Sequence, residues 1–421
     1  MREMAGSGPQ GSPCAAPLGA GGSPRGERLS AEPQARTAAT PRVLGRRGPQ
    51  GARPLLIAVA GIHGNEPAGV LAVRRFLAAL DASGTRLDGR FVALAGNRAA
   101  LAMGRRFVDR DLNRIWLPPL VERLRATRRP ECSEERELLE LLDEIEAEID
   151  SRPQGTHFLD LHTSSAEGAP FVTVGDTLRN RSFARAFPLP AILGLEEQID
   201  GALLEYMNNL GCITLGIEAG QHADPAAVEV HEACLWTASA AAGLLPAPEP
   251  PEVRRARQRL AACRRGRPRT LEVVYRHRVR PEDGFRMRPG FASFTPVVRG
   301  QAVADDLRGP VRAPVSGLVL LPLYQGQGSD GFFIARPVSG FWLGLSRLLR
   351  RLRAGEAAHW LPGVRRHPER DDTLVVDVRI ARWFPLQIFH LLGYRKLRRS
   401  GSLLLVTRRR FDLPAAPGER G

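Results

Sequence analysis

The sequence contains a single lysine, Lys396; the other 59 of its 60 Lys and Arg residues are arginine. With abundant Ala, Gly and Pro, that imbalance reads as a GC-rich coding bias. The formal charge of +15 is therefore weak support by itself for a polyanionic partner. There is no run of about 18 apolar residues, which argues against a transmembrane helix. No CxxC pair occurs among the five cysteines, at positions 14, 132, 212, 234 and 263. An odd count with that spacing argues against a disulfide framework or a Cys-type zinc cluster and fits reduced thiols. The stretch before Pro54 lacks the apolar core of a secretory signal, so the cytoplasm is the expected location. There is no internal repeat.

What is present is ordinary for a globular chain: 43% hydrophobic and 25% charged residues. A length of 421 residues predicts two or three domains. The charge is unevenly placed. Residues 1–52 carry +4, residues 53–335 are neutral, and residues 336–421 carry +11. Only the C-terminal surplus asks for a partner.

Residues 1–52, rich in Gly, Pro, Ala and Ser, predict a disordered tail. Buried strands are expected at Leu55–Ala60, Arg90–Ala95, Thr156–Leu161 and Ile213–Ile217. Helices are expected over Pro67–Leu80, Ser133–Ile149 and Asp224–Ala242. Alternating strands and helices predict an α/β sheet covered on both faces over 53–245. A proline-rich stretch predicts a linker over 246–269. Short β-like runs predict a small β-rich domain over 270–337. A basic α+β extension follows over 338–421, with a helix at Phe341–Leu352. That helix is expected to pack on the β domain with a solvated basic face, a reading favoured over contact with a membrane surface. No nucleic-acid-binding signature is present.

Three strand ends and one loop carry the chemistry. Gly61-Ile62-His63-Gly64-Asn65-Glu66 places two potential metal ligands, His63 and Glu66, just past a strand. Asp160-Leu161-His162-Thr163 offers His162 as a third. Two histidines and a glutamate with one open position suit a catalytic zinc, and Asp160 could orient a ligand from behind. Gly216-Ile217-Glu218-Ala219-Gly220 ends another strand in a carboxylate suited to proton transfer. The loop Arg105–Arg114 supplies guanidinium forks for anions.

Taken in this order, over about Leu55 to Leu244, these motifs resemble the succinylglutamate desuccinylase/aspartoacylase family of zinc-carboxypeptidase-like hydrolases. The resemblance implies a zinc-carboxypeptidase-like mixed sheet flanked by helices. It implies one zinc held by His63, Glu66 and His162, with Glu218 as general base and acid. Arg106 would stabilise the oxyanion, and Asn113 and Arg114 would hold the carboxylate of a small acylated substrate. The implied reaction is hydrolysis of an amide other than a peptide bond. A carboxypeptidase-like metallopeptidase, or an anionic-partner binding role for the basic C-terminal segment, stands as the alternative. One departure is clear: aspartoacylases carry a further arginine about ten residues before the catalytic glutamate, and Tyr206-Met207-Asn208-Asn209-Leu210 has none.

Overall fold

The computed structural model describes residues 40–150, 153–377, 379–380, 386–400, 402–409 and 411–413. The first layer runs β1 (Val43–Arg47), β2 (Leu55–Ala60), α1 (Ala68–Ala82), β3 (Arg90–Ala95), α2 (Arg98–Met103), α3 (Pro118–Thr127), α4 (Ser133–Ile149) and β4 (Thr156–Ser164). It continues with β5 (Phe171–Val174), α5 (Leu178–Ala184), β6 (Ala191–Leu193), α6 (Leu203–Leu210), β7 (Ile213–Gln221), α7 (Ala226–Ala241) and α8 (Pro251–Arg264).

The centre of the sheet is parallel, with β3, β2, β4 and β7 side by side. Its strands are buried on both faces because their alternate side chains enter two different cores. Leu56, Ala58 and Ala60 of β2 pack with α1 and α7, whereas Leu55, Ile57 and Val59 pack with α4 and α6. β3 divides in the same way, with Phe91 and Ala93 on one side and Val92 and Leu94 on the other. Helix α4 follows its expected periodicity, burying Leu138, Leu141, Leu142 and Ile145.

The mixed α/β architecture agrees with expectation, but several boundaries differ. Most of the expected 1–52 tail lies outside the described residues, yet its end is ordered. β1 pairs antiparallel with β3, and buried Arg42 is ion-paired to Glu137 of α4. The stretch expected to be a linker contains α8, whose Val253, Ala256, Leu260 and Cys263 enter the main core. Cys132, Cys212 and Cys234 are free, but Cys263 is disulfide-bonded, against the expectation of reduced thiols throughout.

The β-rich segment contributes β8 (Thr270–Arg278), β9 (Arg286–Met287), β10 (Pro296–Val297), β11 (Ala302–Asp306), β12 (Gly309–Arg312), β13 (Gly317–Leu320) and β14 (Asp330–Pro337). β8 pairs with β6, so β8, β14, β13 and β10 extend the first layer into one 11-stranded sheet. Only β9, β11 and β12 form a separate three-stranded sheet. This continuity carries the loop before β14 across the C-terminal ends of β4 and β7.

The C-terminal segment contains α9 (Gly340–Arg351), β15 (Val364–His367), β16 (Arg370–Asp377), α10 (Leu386–Leu391), β17 (Tyr394–Ser400) and β18 (Leu403–Arg408). Its strands form an antiparallel sheet of four, around a core that includes Leu374, Phe389 and Val406. It docks by charge. Asp176, fully buried after β5, meets Arg181 at 2.5 Å, Arg350 at 2.9 Å and also Arg395. Arg409 reaches Glu196 and Glu197, at 3.4 and 3.3 Å. Part of the C-terminal basic surplus is therefore spent internally, on acids of the first layer.

Candidate metal centre

Functional groups in open parallel sheets collect beyond the carboxyl ends of the strands, and His63, His162 and Glu218 lie there. The loop after β2 is held tightly against α2. A Cβ on Gly64 would lie 2.0 Å from the carbonyl carbon of Ala100, so only glycine permits that approach. The Gly64 amide also donates to the carbonyl of Arg106 at 3.2 Å, tying this loop to the arginine loop. β4 and β7 run three and four residues beyond their expected ends, placing His162 directly beside Glu218 in the register.

His63, Glu66 and His162 are buried together, each with a ligand atom within 4.8 Å of the others. The Glu66 carboxylate lies between the two imidazoles: Oε1 is 2.8 Å from Nδ1 of His63, and Oε2 is 3.2 Å from Nδ1 of His162. The amide of Thr163 donates to Oε2 at 2.9 Å. On its far side each ring meets an aspartate. Nε2 of His63 lies 3.2 Å from Asp111, and Nε2 of His162 lies 2.8 Å from Asp160. Each histidine thus faces Glu66 with one nitrogen and has a carboxylate close to the other, hydrogen-bonded for Asp111 and at ion-pair distance for Asp160, an arrangement that suits metal-ligating imidazoles. Although burial alone would raise it, the Glu66 carboxyl is held well below the usual range by His63 and His162. The donor set and its packing fit a divalent zinc.

Glu218 lacks these partners. Its Oε2 is buried without a hydrogen bond, and burial pushes its carboxyl up to about 8, with Glu66 and Asp160 adding to the effect of desolvation. His162 and Arg106 oppose the rise.

The arginine loop is fixed from behind by Glu134, at the start of α4. Its carboxylate accepts the amides of Val108, Asp109 and Arg110 at 2.7, 3.1 and 3.2 Å, together with the side chain of Asn97 at 2.9 Å. From this loop Arg106 donates to Asp111 at 3.1 and 3.2 Å and lies 3.6 Å from Glu66. The side-chain oxygen of Asn113 accepts the amide of Leu203 at 2.9 Å, leaving its NH2 group 3.4 Å from His162. Arg114 donates to Asp330 of β14 at 2.8 Å, and Arg276 of β8 shares that carboxylate at 2.5 Å.

All seven residues expected from the sequence line one cleft of about 130 Å³. Others were not anticipated. His222, on the loop after the Glu218 motif, faces the cleft between Thr163 at 2.8 Å and Gln325 at 3.2 Å. Asp111 lies within a motif read for its Asn and Arg, and its place behind His63 carries no local signal. Asp330 and Gln325 come from the β-rich segment, whose approach to the cleft is a matter of tertiary structure.

Residues 52–234 match the model of the succinylglutamate desuccinylase/aspartoacylase catalytic domain. Over that stretch, a little under half of the chain, the protein matches this family's catalytic domain. A succinylglutamate desuccinylase from Erwinia tasmaniensis is 41% identical over 61 residues, which are 14% of this chain and 18% of that protein. Its counterpart from Pseudomonas putida is 39% identical over 61 residues, with the same coverage. The aligned stretch thus spans less than a fifth of these relatives' length. Among solved structures, a succinylglutamate desuccinylase from Vibrio parahaemolyticus superposes with a TM-score of 0.50 at 16% identity, covering 69% of this chain and 84% of that one. A succinylglutamate desuccinylase/aspartoacylase from Rhodobacter sphaeroides gives 0.50 at 17%, covering 70% and 88%. At these identities the structural likeness establishes a shared fold.

Proposed function

We propose that the chain is a zinc-dependent hydrolase cleaving the amide bond of a small N-acyl amino acid or a similar acylated amine. The observation that carries this reading is the convergence of His63, Glu66 and His162 beside a Glu218 oxygen that has no partner. A zinc ion held by those three residues would supply Lewis acidity to the scissile carbonyl and to the attacking water.

The protein's own groups do the rest. Glu218 takes a proton from the attacking water, holds it on Oε2 and delivers it to the leaving nitrogen; a carboxyl raised toward neutrality suits both transfers. Arg106, half-buried and charged, offsets negative charge as it develops on the carbonyl oxygen. Its bond to Asp111 fixes it in place before substrate arrives. Asn113 and Arg114 receive the substrate carboxylate. Because Arg114 is already paired with Asp330, and Tyr206–Leu210 offers no arginine, the cleft suits a substrate with one carboxylate better than a diacid.

Metal analysis of the purified full chain, with hydrolysis of a panel of N-acyl amino acids, tests this reading. We expect about one zinc per chain, and Glu218→Gln retains the metal while losing hydrolysis. A chain that neither contains zinc nor can be loaded with it overturns the proposal. Release of C-terminal residues from peptides alone would replace it with the metallopeptidase reading.

A further inference from the structure

An amphipathic helix on a globular protein normally buries its apolar stripe and exposes its polar one. Helix α9 departs from this: Leu343 and Leu349 pack against two of the cores, but a second apolar stripe is left facing out. Its two buried residues are polar: Arg350, paired with Asp176 and Asp412, and Ser346, which donates to the carbonyl of Leu391 at 2.9 Å. Phe341, Leu345, Leu348 and Leu352 follow the i, i+4, i+7, i+11 spacing of a single stripe. Three of these four face solvent, with Phe341 71%, Leu348 54% and Leu352 68% exposed. Trp342, 50% exposed, packs edge-on against Phe341, and Trp360, in the turn after α9, is 79% exposed.

Uncompensated cations lie beside the stripe. Arg347 and Arg351 flank it one turn apart, and both act on Arg185, whose pKa is lowered by desolvation and then by Arg347, Arg269 and Arg351. Among the described residues none of these four arginines has an acidic partner. Arg185, Arg269 and Arg347 also rim a second cavity of about 250 Å³, whose floor includes Leu189, Leu193 and Leu343.

We infer that the outward face of α9, with Arg347 and Arg351 on the helix and Arg185 and Arg269 beside it, is a docking surface for an anionic lipid bilayer. An apolar stripe with aromatic residues at one end and arginines along its flank matches a helix lying in the plane of a membrane interface. Charge complementarity selects the occupant. A second copy docked by the same face would bring Arg347 and Arg351 of both chains together. A nucleic acid would satisfy the arginines but leave the stripe in water. The contact is peripheral, since no helix among the described residues is long and apolar enough to cross a membrane. This inference is independent of the metal centre.

Flotation of the full chain with vesicles is the test, comparing phosphatidylcholine alone with mixtures containing roughly 30% phosphatidylglycerol. The chain is expected to float with the anionic vesicles and not with the neutral ones. Adding salt should weaken binding, and a brominated lipid should quench fluorescence in the wild type but less so in Trp342→Phe. Phe341→Ser combined with Leu348→Ser, and separately Arg347→Gln combined with Arg351→Gln, should each reduce binding at least about tenfold. Both pairs lie outside the cores, and unchanged thermal melts would confirm that the variants fold. Failure to float, equal binding to neutral vesicles, or binding unaffected by either pair overturns the inference. Dimerisation or duplex DNA binding that depends on these residues, without flotation, also overturns it and identifies the other occupant.

Discussion

Arg114 of the arginine loop and Asp330 of β14 are joined by a 2.8 Å ion pair across the cleft. The residue expected to receive the substrate carboxylate is therefore already occupied, by an acid from a different part of the chain. Substrate must displace or share that carboxylate. Asp330→Asn should lower KM for a small N-acyl amino acid severalfold with little change in kcat. Arg114→Met should raise it, since a charge-assisted hydrogen bond contributes about 1.5–3 kcal/mol, or roughly ten- to a hundredfold. An unchanged KM in Asp330→Asn would mean that the two carboxylates do not compete.

The two aspartates behind the histidines should govern metal affinity without binding the ion. Asp111→Asn and Asp160→Asn are each expected to weaken zinc binding about 10- to 100-fold, measured by competition with a chelator. His63→Ala and His162→Ala should abolish tight binding. Equal affinity in the aspartate variants would show that the rings are oriented by packing alone.

Glu134 holds three successive backbone amides of the arginine loop. Glu134→Ala leaves those donors unsatisfied, at about 1–3 kcal/mol for each that stays buried. The melting temperature should fall, and hydrogen exchange at Val108, Asp109 and Arg110 should accelerate. Activity should fall further than stability, because Arg106 is carried on the same loop. Glu134→Gln, which keeps one acceptor oxygen, should be intermediate.

Acid should loosen the C-terminal segment through Asp176. Burial opposes its charge, but Arg181, Arg350 and Arg395 hold its carboxyl well below the usual range. An unfolded aspartate titrates near about 3.9. The stabilisation is thus complete above that pH and is lost as the pH falls through the lower folded value. Thermal melts from pH 7 down to about 2 should show no loss from this group above about pH 4 and its onset below that. Asp176→Asn should cost roughly 3–5 kcal/mol at neutral pH, since it leaves arginines buried without a counter-charge, and should flatten the acid limb. A wild-type stability as steep in acid as that of the variant would rule out Asp176 as the source.

Features set by local pattern were legible in the sequence. β3 and α4 run over the residues predicted, because an uninterrupted apolar run and a helical leucine repeat are local signals. The candidate ligands His63, Glu66 and His162 stood out in the sequence because they lie at or just past the ends of such runs. β1 was missed because only Val43 and Leu44 of its five residues are apolar, and Arg42 and Arg46 are satisfied by carboxylates of α4 about a hundred residues away. α8 was hidden by the prolines before it, although Pro251 starts the helix. α9 was foreseen as a helix, but Phe341, Leu348 and Leu352 of its apolar set turn outward. Its apolar periodicity suggested an inward stripe, and only the distant Asp176 reveals that Arg350 is the anchor. His222 and Asp330 reach the cleft through partners on other segments, which no local window contains.

The pairing of β6 with β8 sets where this protein can be cut. The family match ends at residue 234, well before β8 begins at Thr270. A fragment trimmed to the matched region would lose the strand that satisfies the outer backbone groups of Ala191, Ile192 and Leu193. It would expose an apolar edge of unpaired amides and carbonyls, a template for aggregation. Insoluble truncated fragments would therefore say nothing about whether the full chain folds, because the β-rich segment completes the sheet on which the candidate metal site stands.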